Sequence, residues 1–403
     1  MKMKTDKTSN TQLQSLTPGG KTHSCSWVPS KTPVLRPTWA VIDRGAFKRN
    51  FKKIKSRLKP GTKLIAVVKA NAYGHVAQAL SHTAFELGAW ALGVSSIEEG
   101  IALRESGVRG RILILGSVFP LENLSTAAEH GLVPTISSLV GLSALSRLAL
   151  RLKTRLAFHL KIDTGMGRIG VSPSTAPALF ERIAAKKEIH MEGLYTHLAC
   201  ADFDEKFTSS QMEKFACTVK AAKALGLKFI AHAANSAATL RHREFQLDAV
   251  RPGVALYGLK PFKASEKILK LEPVMSLVSR IVFLKRVPAG TPVSYGAAFT
   301  AKKRSVIATV PIGYADGYSR LLSGKGEALV RGVRCPVAGR VTMDMLMLDV
   351  SKVPGVSIGD EAVFIGRQGR ERITAEEIAD KTGTINYEVT CSVSSRVPRV
   401  IIN

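Results

Sequence analysis

Long apolar runs, paired cysteines and acidic residues are all scarce in this sequence, and each shortage limits what the protein can be. No stretch of the 403 residues approaches the roughly 18 to 20 consecutive apolar residues that a membrane-spanning helix needs. Residues 1–36 contain lysines but no apolar segment ahead of their tract of proline, glycine, serine and threonine, unlike a secretory signal. The sequence therefore predicts a cytoplasmic protein without membrane contact.

The cysteines are few and widely separated. A disulfide framework or a zinc site has closely spaced pairs, and no C-x-x-C pair is present. We therefore expect reduced thiols and no bound metal. The five cysteines are Cys25, Cys200, Cys217, Cys335 and Cys391.

Acidic residues are outnumbered by basic ones, 31 to 58, which leaves a formal net charge of +27. The first 36 residues hold six basic residues and one acidic residue, so most of the excess is spread over the rest of the chain. A nucleic-acid site needs a basic stripe on one face or a known module, and spread charge is weak support for either. We expect no nucleic-acid partner, although such a charge attracts anionic metabolites.

Composition and periodicity divide the chain into three parts. Residues 1–36 are polar and poor in aromatics, which predicts a disordered basic arm. Residues 37–270 alternate between short apolar runs and segments with helical spacing, which predicts an α/β fold with a (β/α)8 TIM-like barrel. Residues 271–403 contain short β-branched runs between turns, with a helical pattern only near residues 374–381, which predicts a mostly β C-terminal domain. The strand predicted near residues 38–43 fits either domain.

The predicted barrel carries a lysine at the end of a strand. Leu64 to Val68 is an apolar run typical of a buried parallel strand, and Lys69 follows it before a loop that contains Gly74. Barrel enzymes keep their chemistry at the carboxyl ends of the strands. A lysine that is partly desolvated there has a lowered pKa and can act as a base or as a nucleophile toward an aldehyde. Alternatively, Lys69 simply extends into solvent.

Other strand ends suggest a site for an anion. Asn235 and Ser236 begin a predicted helix, and Gly253 and Val254 lie in the loop that closes the barrel. Backbone N–H groups and a hydroxyl in this arrangement suit a phosphate, although Ser236 also fits a plain helix N-cap. A reactive lysine together with a phosphate site implies pyridoxal 5'-phosphate. The remaining polar side chains at strand ends are Tyr73, Lys161, Arg168, His197, His232 and Arg251.

Several long motifs in the same order make the chain resemble the alanine racemase family from about residue 37 to residue 403. The motif that corresponds to the family's cofactor lysine is Ala66-Val-Val-Lys69-Ala-Asn-Ala-Tyr73-Gly-His75. Motifs in register over most of a chain are far more specific than one lysine. The others are Lys161-Ile-Asp-Thr-Gly-Met-Gly-Arg168, Gly193-Leu-Tyr-Thr-His197, Ala234-Asn-Ser236, Arg251-Pro-Gly-Val-Ala-Leu-Tyr257, Ser294-Tyr295-Gly296, Gly313-Tyr314-Ala-Asp-Gly-Tyr318, Gly339-Arg340-Val-Thr-Met343-Asp344 and Ile385-Asn-Tyr387-Glu388.

The resemblance implies pyridoxal 5'-phosphate attached to Lys69 in a head-to-tail homodimer with shared active sites. It places Arg251 at the pyridine nitrogen of the cofactor. A carboxylate there would keep the nitrogen protonated, whereas a guanidinium disfavours the pyridinium and weakens the ring as an electron sink. The other residues that the resemblance places around the cofactor are Tyr73, His197, Asn235, Ser236, Gly253, Val254 and Tyr387.

The resemblance also implies a two-base mechanism, with one base on each face of the substrate carbon. Lys69 serves one face and Tyr295 from the other subunit serves the second, and Arg168 and His197 make this phenol a usable base. The lysine that corresponds to Lys161 is often carbamylated in the family, which gives an anion that holds the arginine. The resemblance assigns substrate binding to the backbone N–H of Met343, which would hold the carboxylate, and to Arg168. Tyr314, Arg320 and Arg340 line the approach, and Asp344 is a supporting residue.

Purely structural interpretations of several of these residues remain open at this point. His197 fits an ordinary core histidine, Tyr295 fits plain interface packing, and Arg320 and Arg340 fit solvated charges. His75 is expected to pack beside the cofactor rather than to transfer protons.

Two positions depart from the family pattern. Thr342 stands where a cysteine is frequent, and Val76 stands where a glycine commonly follows the histidine, but neither change removes a proton-transfer group.

The predicted activity is interconversion of L- and D-alanine, which supplies D-alanine for peptidoglycan. A broad-specificity amino acid racemase is the close alternative, and a decarboxylase is disfavoured by Arg251. A non-enzymatic regulatory protein that binds the cofactor would have neither the second domain nor Tyr295.

Overall fold

The structure, a computed structural model, describes residues 35–403. The predicted basic arm therefore lies outside the described residues, except for Leu35 and Arg36. A closed parallel barrel with outer helices is followed by a mostly β domain, so the predicted fold class is confirmed. Within the described range, no helix combines the length and the apolar character that a membrane crossing needs.

The chain enters the fold through strand β1 (Thr38–Asp43) and helix α1 (Arg44–Lys55). The Asp43 carboxylate caps this helix by accepting a hydrogen bond from the Ala46 N–H (2.7 Å). After α1, the barrel closes through parallel strands in chain order. These are β2 (Lys63–Val67), β3 (Ala91–Val94), β4 (Ile112–Ser117), β5 (Leu132–Ile136), β6 (Leu156–Lys161), β7 (Ile189–Tyr195), β8 (Ile230–His232) and β9 (Ala249–Val250).

The barrel strands alternate their apolar side chains between two cores. Ile65 belongs to a small cluster with Leu113 and Ala249, whereas Leu64 and Ala66 belong to the large cluster that the helices cover. Burial on both faces explains why the strands read as unbroken apolar runs. The remaining helices are α2 (Lys69–Tyr73), α3 (Ala77–Glu86), α4 (Ile97–Glu105), α5 (Leu124–Glu129), α6 (Leu139–Leu152), α7 (Ala176–Ala184), α8 (Glu205–Ala224), α9 (Ser236–Arg241), α10 (Ser265–Ile268), α11 (Ala375–Thr382) and α12 (Asn386–Ser392).

The C-terminal domain is built from short, mostly antiparallel strands. They are β10 (Met275–Arg280), β11 (Phe283–Val287), β12 (Pro292–Val293), β13 (Phe299–Thr300), β14 (Ser305–Val310), β15 (Glu327–Val330), β16 (Val333–Pro336), β17 (Leu346–Asp349), β18 (Glu361–Gln368), β19 (Glu371–Ile373) and β20 (Arg399–Ile402). The main sheet runs β16-β15-β18-β10-β1-β20. Strand β1 pairs antiparallel with β10 and parallel with β20, so it lies in this sheet although it precedes the barrel.

Two segments of the C-terminal domain differ from the sequence prediction. The continuous β-branched run over residues 274–284 has the pattern of a single strand, but it is divided at Ile281, because β10 pairs in the main sheet and β11 pairs with β14. The expectation of helical structure only near residues 374–381 is wrong, because α12 is also helical. Its β-branched and aromatic residues are weak helix formers, and its packing against α2 supports it. At this contact, a Cβ on Gly74 would lie 2.3 Å from the Thr390 carbonyl oxygen.

An ion cluster anchors the start of the described chain to the C-terminal domain. The buried Asp316 carboxylate accepts hydrogen bonds from the Arg36 guanidinium and from the Gly313 N–H (2.9 Å). Arg36 also donates to the Pro311 carbonyl (2.7 Å), and Arg396 Nε lies 3.7 Å from the Asp316 carboxylate. Because a buried carboxylate needs charge-assisted partners, this cluster ties the segment before β1 to the domain that β1 joins.

Removal of this buried carboxylate should destabilise the protein. We expect Asp316→Ala to lower the free energy of unfolding by about 3 kcal/mol, because the variant leaves the part-buried Arg36 without its partner. Equilibrium unfolding in urea measures the change. Glu266→Ala, which removes an exposed ion pair with Lys260 (2.7 Å), is the control and should leave the midpoint nearly unchanged. Equal midpoints for the two variants would contradict a structural role for the cluster.

Candidate active site

Lys69 lies at the carboxyl end of β2, where the backbone makes an unusual turn. Ala70, Asn71, Ala72 and Tyr73 all have φ between 51° and 56°, in the left-handed helical region. This conformation costs an L-residue roughly 1–2 kcal/mol. A run of four such residues is strained backbone of the kind that clusters at functional sites. The segment predicted as a loop is therefore an ordered left-handed turn.

Hydrogen bonds from neighbouring elements hold this turn. The Glu99 carboxylate, in the first turn of α4, accepts from the Ala70 N–H (2.7 Å) and from the Ser95 N–H (2.7 Å). Asn71 Oδ1 accepts from the Ala77 N–H at the start of α3 (2.8 Å). These hydrogen bonds offset part of the energetic cost of the left-handed backbone beside Lys69.

The Lys69 amine is half-buried at the barrel mouth. Burial lowers the pKa of Lys69, and the positive charge of Arg168 lowers it further. A lowered pKa increases the fraction of free amine near neutral pH, which is what a nucleophile or a base requires. The side chain thus differs from a lysine that extends freely into solvent.

Arg251 is buried below the mouth, and its hydrogen bonds are almost complete. Its Nη1 donates to His232 Nδ1 (2.6 Å) and to the His232 carbonyl (3.0 Å). Its Nη2 donates to the carbonyls of Thr196 (2.7 Å) and Ala233 (3.0 Å), and His197 Nδ1 lies 3.5 Å away. Four of the five guanidinium hydrogens are thus engaged. In residues 35–403, no acceptor is recorded for Nε.

Cationic side chains gather around Arg251 without a paired carboxylate. Lys161 is 2% exposed, and its Nζ lies 5.6 Å from the centroid of the Tyr195 ring. Burial, followed by the charges of Arg168 and Arg251, lowers the pKa of Lys161 to about 8. Burial and then Arg251 hold the pKa of His197 well below its usual range. Among the described residues, no ion pair is recorded for Lys161 or Arg168.

The loops after β8 and β9 meet around the Ser236 hydroxyl. Ser236 Oγ accepts from the Gly253 N–H (2.8 Å) and from the Ala255 N–H (3.3 Å). Gly253 is required by close approach, because a Cβ there would lie 2.5 Å from the Tyr73 hydroxyl oxygen. Asn235 is the N-cap of α9, since its side chain accepts from the Ala238 N–H (3.1 Å).

Aromatic rings form the wall beside this loop cluster. Tyr73 lies 5.2 Å from the Tyr257 ring and contacts Tyr387 edge-on at 6.4 Å. His75 stacks on Tyr257 at 4.8 Å, and burial lowers the pKa of His75 to about 4. The next residue, Val76, has φ of 68°, where glycine is more favourable than a β-branched residue. The departure from the family pattern at this position therefore adds backbone strain.

The structure groups the other predicted residues in a second cluster on the C-terminal domain. Tyr295 is 74% exposed and Met343 is 52% exposed. Arg340 Nε donates to the Tyr295 carbonyl (3.2 Å), and the backbone N–H of Tyr314 donates to the Thr342 carbonyl (3.0 Å). Within residues 35–403, no recorded hydrogen bond, ion pair or ring contact joins this cluster to the residues around Lys69. The remaining members, Arg320 and Asp344, are exposed, and Asp344 pairs with Arg396 (2.7 Å).

Sequence reasoning missed Glu99, His159 and Glu192. Ser96 to Glu99 has the S-x-x-E pattern of a capping box, which marks Glu99 as a first-turn residue. That pattern does not indicate that the carboxylate reaches Ala70, because the contact depends on how α4 packs beside β2. His159 and Glu192 lie inside predicted strands and carry no local signal.

Known protein families match the chain over almost all of its described length. The alanine racemase N-terminal domain matches residues 42–261, and the alanine racemase C-terminal domain matches residues 274–401. The chain belongs to the alanine racemase family. An alanine racemase from Halothermothrix orenii is 44% identical over 368 residues, which cover 91% of this chain and 97% of that protein. One from Desulfovibrio desulfuricans is 45% identical over 369 residues, with 91% and 98% covered.

Solved alanine racemases have the same fold as this family member. The alanine racemase of Clostridium difficile 630 superimposes with a TM-score of 0.87 at 35% identity, covering 92% of this chain and 97% of that one. The alanine racemase of Bacillus anthracis with bound L-Ala-P gives a TM-score of 0.86 at 36% identity, with 92% and 96% covered. The predicted resemblance is therefore confirmed.

Loss of the Glu99 carboxylate should loosen the turn that carries Lys69. We expect Glu99→Ala to increase amide hydrogen exchange at Ala70 and Ser95, because both N–H groups lose their acceptor. Hydrogen–deuterium exchange with mass spectrometry measures the change in peptides that span these residues. Glu98→Ala, at the neighbouring exposed position, is the control and should leave both peptides protected. Unchanged hydrogen exchange in Glu99→Ala would show that the Glu99 carboxylate does not stabilise the turn.

Proposed function

We propose that the protein is an alanine racemase that interconverts L- and D-alanine with pyridoxal 5'-phosphate held at Lys69. The observation that carries this proposal is the convergence of three features at one barrel mouth. They are the Lys69 amine with its lowered pKa, the Nε–H of Arg251, and the close approach of the Ser236 and Gly253 loops. The Nε–H is called open here because it has no recorded acceptor in residues 35–403. Family membership supports the proposal, because the matched relatives are named alanine racemases.

The residues present fit this cofactor group by group. An aldehyde needs an amine, a ring nitrogen needs one directed donor, and a phosphate needs several donors. Lys69 and Arg251 Nε would meet the first two needs. In the described residues, the backbone N–H groups of Ser236 and Val254 have no recorded acceptor, and Gly253 leaves room beside the hydroxyl of Tyr73. When bound, the cofactor withdraws electrons from the substrate α-carbon and so acidifies its proton.

The other residues proposed to bind the cofactor lie around the space beside Gly253 and the Tyr73 hydroxyl. Tyr387 stands at the rim, in edge contact with Tyr73. Asn235 joins the loop after β8 to the loop after β7, because its Nδ2 donates to the Leu198 carbonyl (3.2 Å) while its Oδ1 caps α9. His197 lies beside Arg251, where its neutral ring adds no charge near the open N–H.

Arg251 would favour racemisation over competing reactions of the same cofactor. Its guanidinium stays protonated at neutral pH and donates without giving up its proton. A ring nitrogen that only accepts this hydrogen bond withdraws electrons less strongly than a protonated one. A hydrogen bond from Arg251 would therefore favour return of a proton to the substrate over transamination.

We assign the two proton-transfer groups to Lys69 and to Tyr295 from a second copy of the chain. Tyr295 is three-quarters exposed in one chain, together with exposed Leu321 and Met345. Large apolar side chains grouped at the surface are typical of an interface. A head-to-tail homodimer would bring this cluster to the other barrel mouth, where Arg168 supplies the positive charge that a phenolate needs.

The substrate carboxylate is assigned to the backbone N–H of Met343 and to Arg168. In residues 35–403, this N–H has no recorded acceptor, and Thr342 turns its hydroxyl away to the Met345 carbonyl (2.6 Å). The supporting residues proposed for the approach are Tyr314, Arg320, Arg340 and Asp344. We further propose that the reaction takes place in the cytoplasm and supplies D-alanine for peptidoglycan, as in the sequence analysis.

Lys161 is expected to react with carbon dioxide. Its amine has a pKa of about 8, and the nearby cations Arg168 and Arg251 outweigh the carboxylate of Asp163. The neutral amine would add to carbon dioxide with loss of one proton, and the carbamate would supply an anion beside Arg168. Carbamate should increase as the pH rises through about 8, because only the neutral amine reacts. Carbon-13 NMR with labelled bicarbonate measures it. The signal should disappear in Lys161→Met and persist in Lys69→Ala, and a signal that survives in Lys161→Met contradicts the assignment.

The function is tested by paired variants of the two proposed bases. Lys69→Ala should lose both the visible absorbance of lysine-bound cofactor and all turnover of alanine. Tyr295→Ala should keep the absorbance and lose proton transfer on one face, which racemisation of each enantiomer in deuterated water measures. Racemisation of serine and lysine in the native protein, compared with alanine, tests the broad-specificity alternative. Full rates in both directions for Tyr295→Ala would overturn the two-base assignment.

A further inference from the structure

A chain of hydrogen-bonded side chains runs through the barrel below Arg251. His232 Nδ1 lies 2.6 Å from Arg251 Nη1, and His232 Nε2 lies 2.9 Å from His159 Nδ1. His159 Nε2 lies 3.4 Å from a carboxylate oxygen of Glu192. The same carboxylate pairs with Arg111 Nε at 2.9 Å and 3.1 Å. The chain therefore connects the proposed cofactor arginine to the opposite, amino-terminal end of the barrel, because Arg111 directly precedes β4.

The two ends of this chain determine where its protons lie. A guanidinium only donates, so His232 must present a lone pair at Nδ1 and carry its proton at Nε2. His232 then donates to His159 Nδ1, and His159 carries its proton at Nε2. An ionised carboxylate only accepts, so Glu192 receives this last hydrogen bond. Every hydrogen bond points from Arg251 toward Glu192.

The surroundings keep both imidazoles neutral and in place. Both histidines are fully buried, and burial lowers the pKa of each. The His232 ring stacks on Tyr195 at 4.8 Å with an interplanar angle of 4°. Gly193 leaves the space that His159 occupies, because a Cβ there would lie 2.3 Å from His159 Nδ1. The strand register also shifts between Phe158 and His159, which directs this imidazole toward β7.

Glu192 is held at the lower end of the chain by a specific contact. Its side chain is 15% exposed, and that of Arg111 is 38% exposed. The Arg111 guanidinium also lies over the Trp90 ring, 4.4 Å from its centroid. This packing limits the positions that the arginine and its carboxylate partner adopt.

We propose that Glu192 is a positioning residue that acts through His159 and His232 on Arg251. By accepting from His159, Glu192 stabilises from the far end the same arrangement that Arg251 requires, in which His232 offers a lone pair, rather than an N–H, to the guanidinium. In the opposite arrangement, an imidazole N–H would face Arg251 Nη1 at 2.6 Å, and two donors at that distance repel each other. The significance for catalysis rests on the proposed function, because Arg251 matters there through its open N–H.

The decisive measurement is the tautomer of each histidine, read from ring-nitrogen NMR shifts of the holoenzyme labelled with 15N-histidine. We expect both His159 and His232 to be neutral with the proton at Nε2. In Glu192→Met, which removes the acceptor at similar volume, the fraction of His159 with its proton at Nε2 should fall, because only the Arg251 end of the chain still favours it. Glu188→Met is the matched control, since Glu188 is 17% exposed and pairs with Lys186 (3.3 Å) but contacts neither histidine.

Steady-state kinetics provides the second measurement on these variants. The kcat for alanine should fall about tenfold in Glu192→Met, the size expected when an orienting partner is lost, with a smaller change in KM. Glu188→Met should keep the native kcat and the native tautomer of each histidine. Native tautomers and native kcat in Glu192→Met would overturn the proposal.

Variants at His159 test the same chain if Glu192→Met does not fold. The amide of Gln in His159→Gln can accept from His232 through its oxygen and donate to Glu192 through its nitrogen, so the direction of the chain is kept. His159→Leu removes both functions. We expect His232 to keep its Nε2 proton in His159→Gln and to lose this preference in His159→Leu, with a lower kcat only in the latter. Identical His232 spectra in the two variants would overturn the proposal.

Failure of this inference is distinguishable from failure of the proposed function. If the native protein racemises alanine but His232 carries its proton at Nδ1, the inference is wrong and the function stands. If the tautomers are as stated but alanine is not racemised, the function is wrong. In that case the hydrogen-bonded chain remains a property of the fold.

Discussion

The site depends on the burial of a guanidinium that has no carboxylate partner. Arg251 is held by three main-chain carbonyls and one neutral imidazole, from His232 at the end of β8 and from the residues that directly follow β7 and β8. These acceptors converge only when the barrel closes, so the arginine and the barrel stabilise each other. Burial lowers the pKa of Arg251 to about 10, which still leaves it charged at neutral pH.

Burial and this charge together lower the pKa values of the neighbouring groups. Burial and the charge of Arg251 keep His197 and His232 neutral. Burial, followed by the charges of Arg168 and Arg251, lowers the pKa of Lys161. Because no carboxylate is paired with these groups in the described residues, the barrel mouth is a cationic pocket lined by bases with lowered pKa values. Such a pocket suits anionic ligands that need a free amine and a fixed hydrogen-bond donor.

The proposed chemistry is divided between two domains that do not complete a site within one chain. Lys69 and Arg251 lie in the barrel, whereas Tyr295 and Met343 are exposed on the C-terminal domain. The strained turn after β2 sets the geometry of the part of the site that lies in the barrel. Glu99 and α12 hold that turn from two sides. Strain of this kind is tolerated only where the surrounding contacts determine the conformation more strongly than the backbone does.

The sequence by itself determined the fold class and the general location of the chemistry. Unbroken apolar runs predicted the parallel strands, and glycine-rich loops after them predicted where Lys69, Ser236 and Arg251 would meet, because strand ends share one face of a barrel. Local pattern also indicated α11 correctly. These features depend on interactions between residues that are close in the chain, or on a rule that applies to all barrels.

Other features were decided only by tertiary structure. The left-handed turn at Ala70, the helix α12 and the placement of β1 in the distant sheet all contradict or escape local propensity. The chain from Arg251 to Glu192 could not be predicted, because its members are far apart in sequence and each is unremarkable in its own strand. Hydrogen-bond direction there is set by the partner at each end, and those partners exist only after the strands have assembled into a closed barrel.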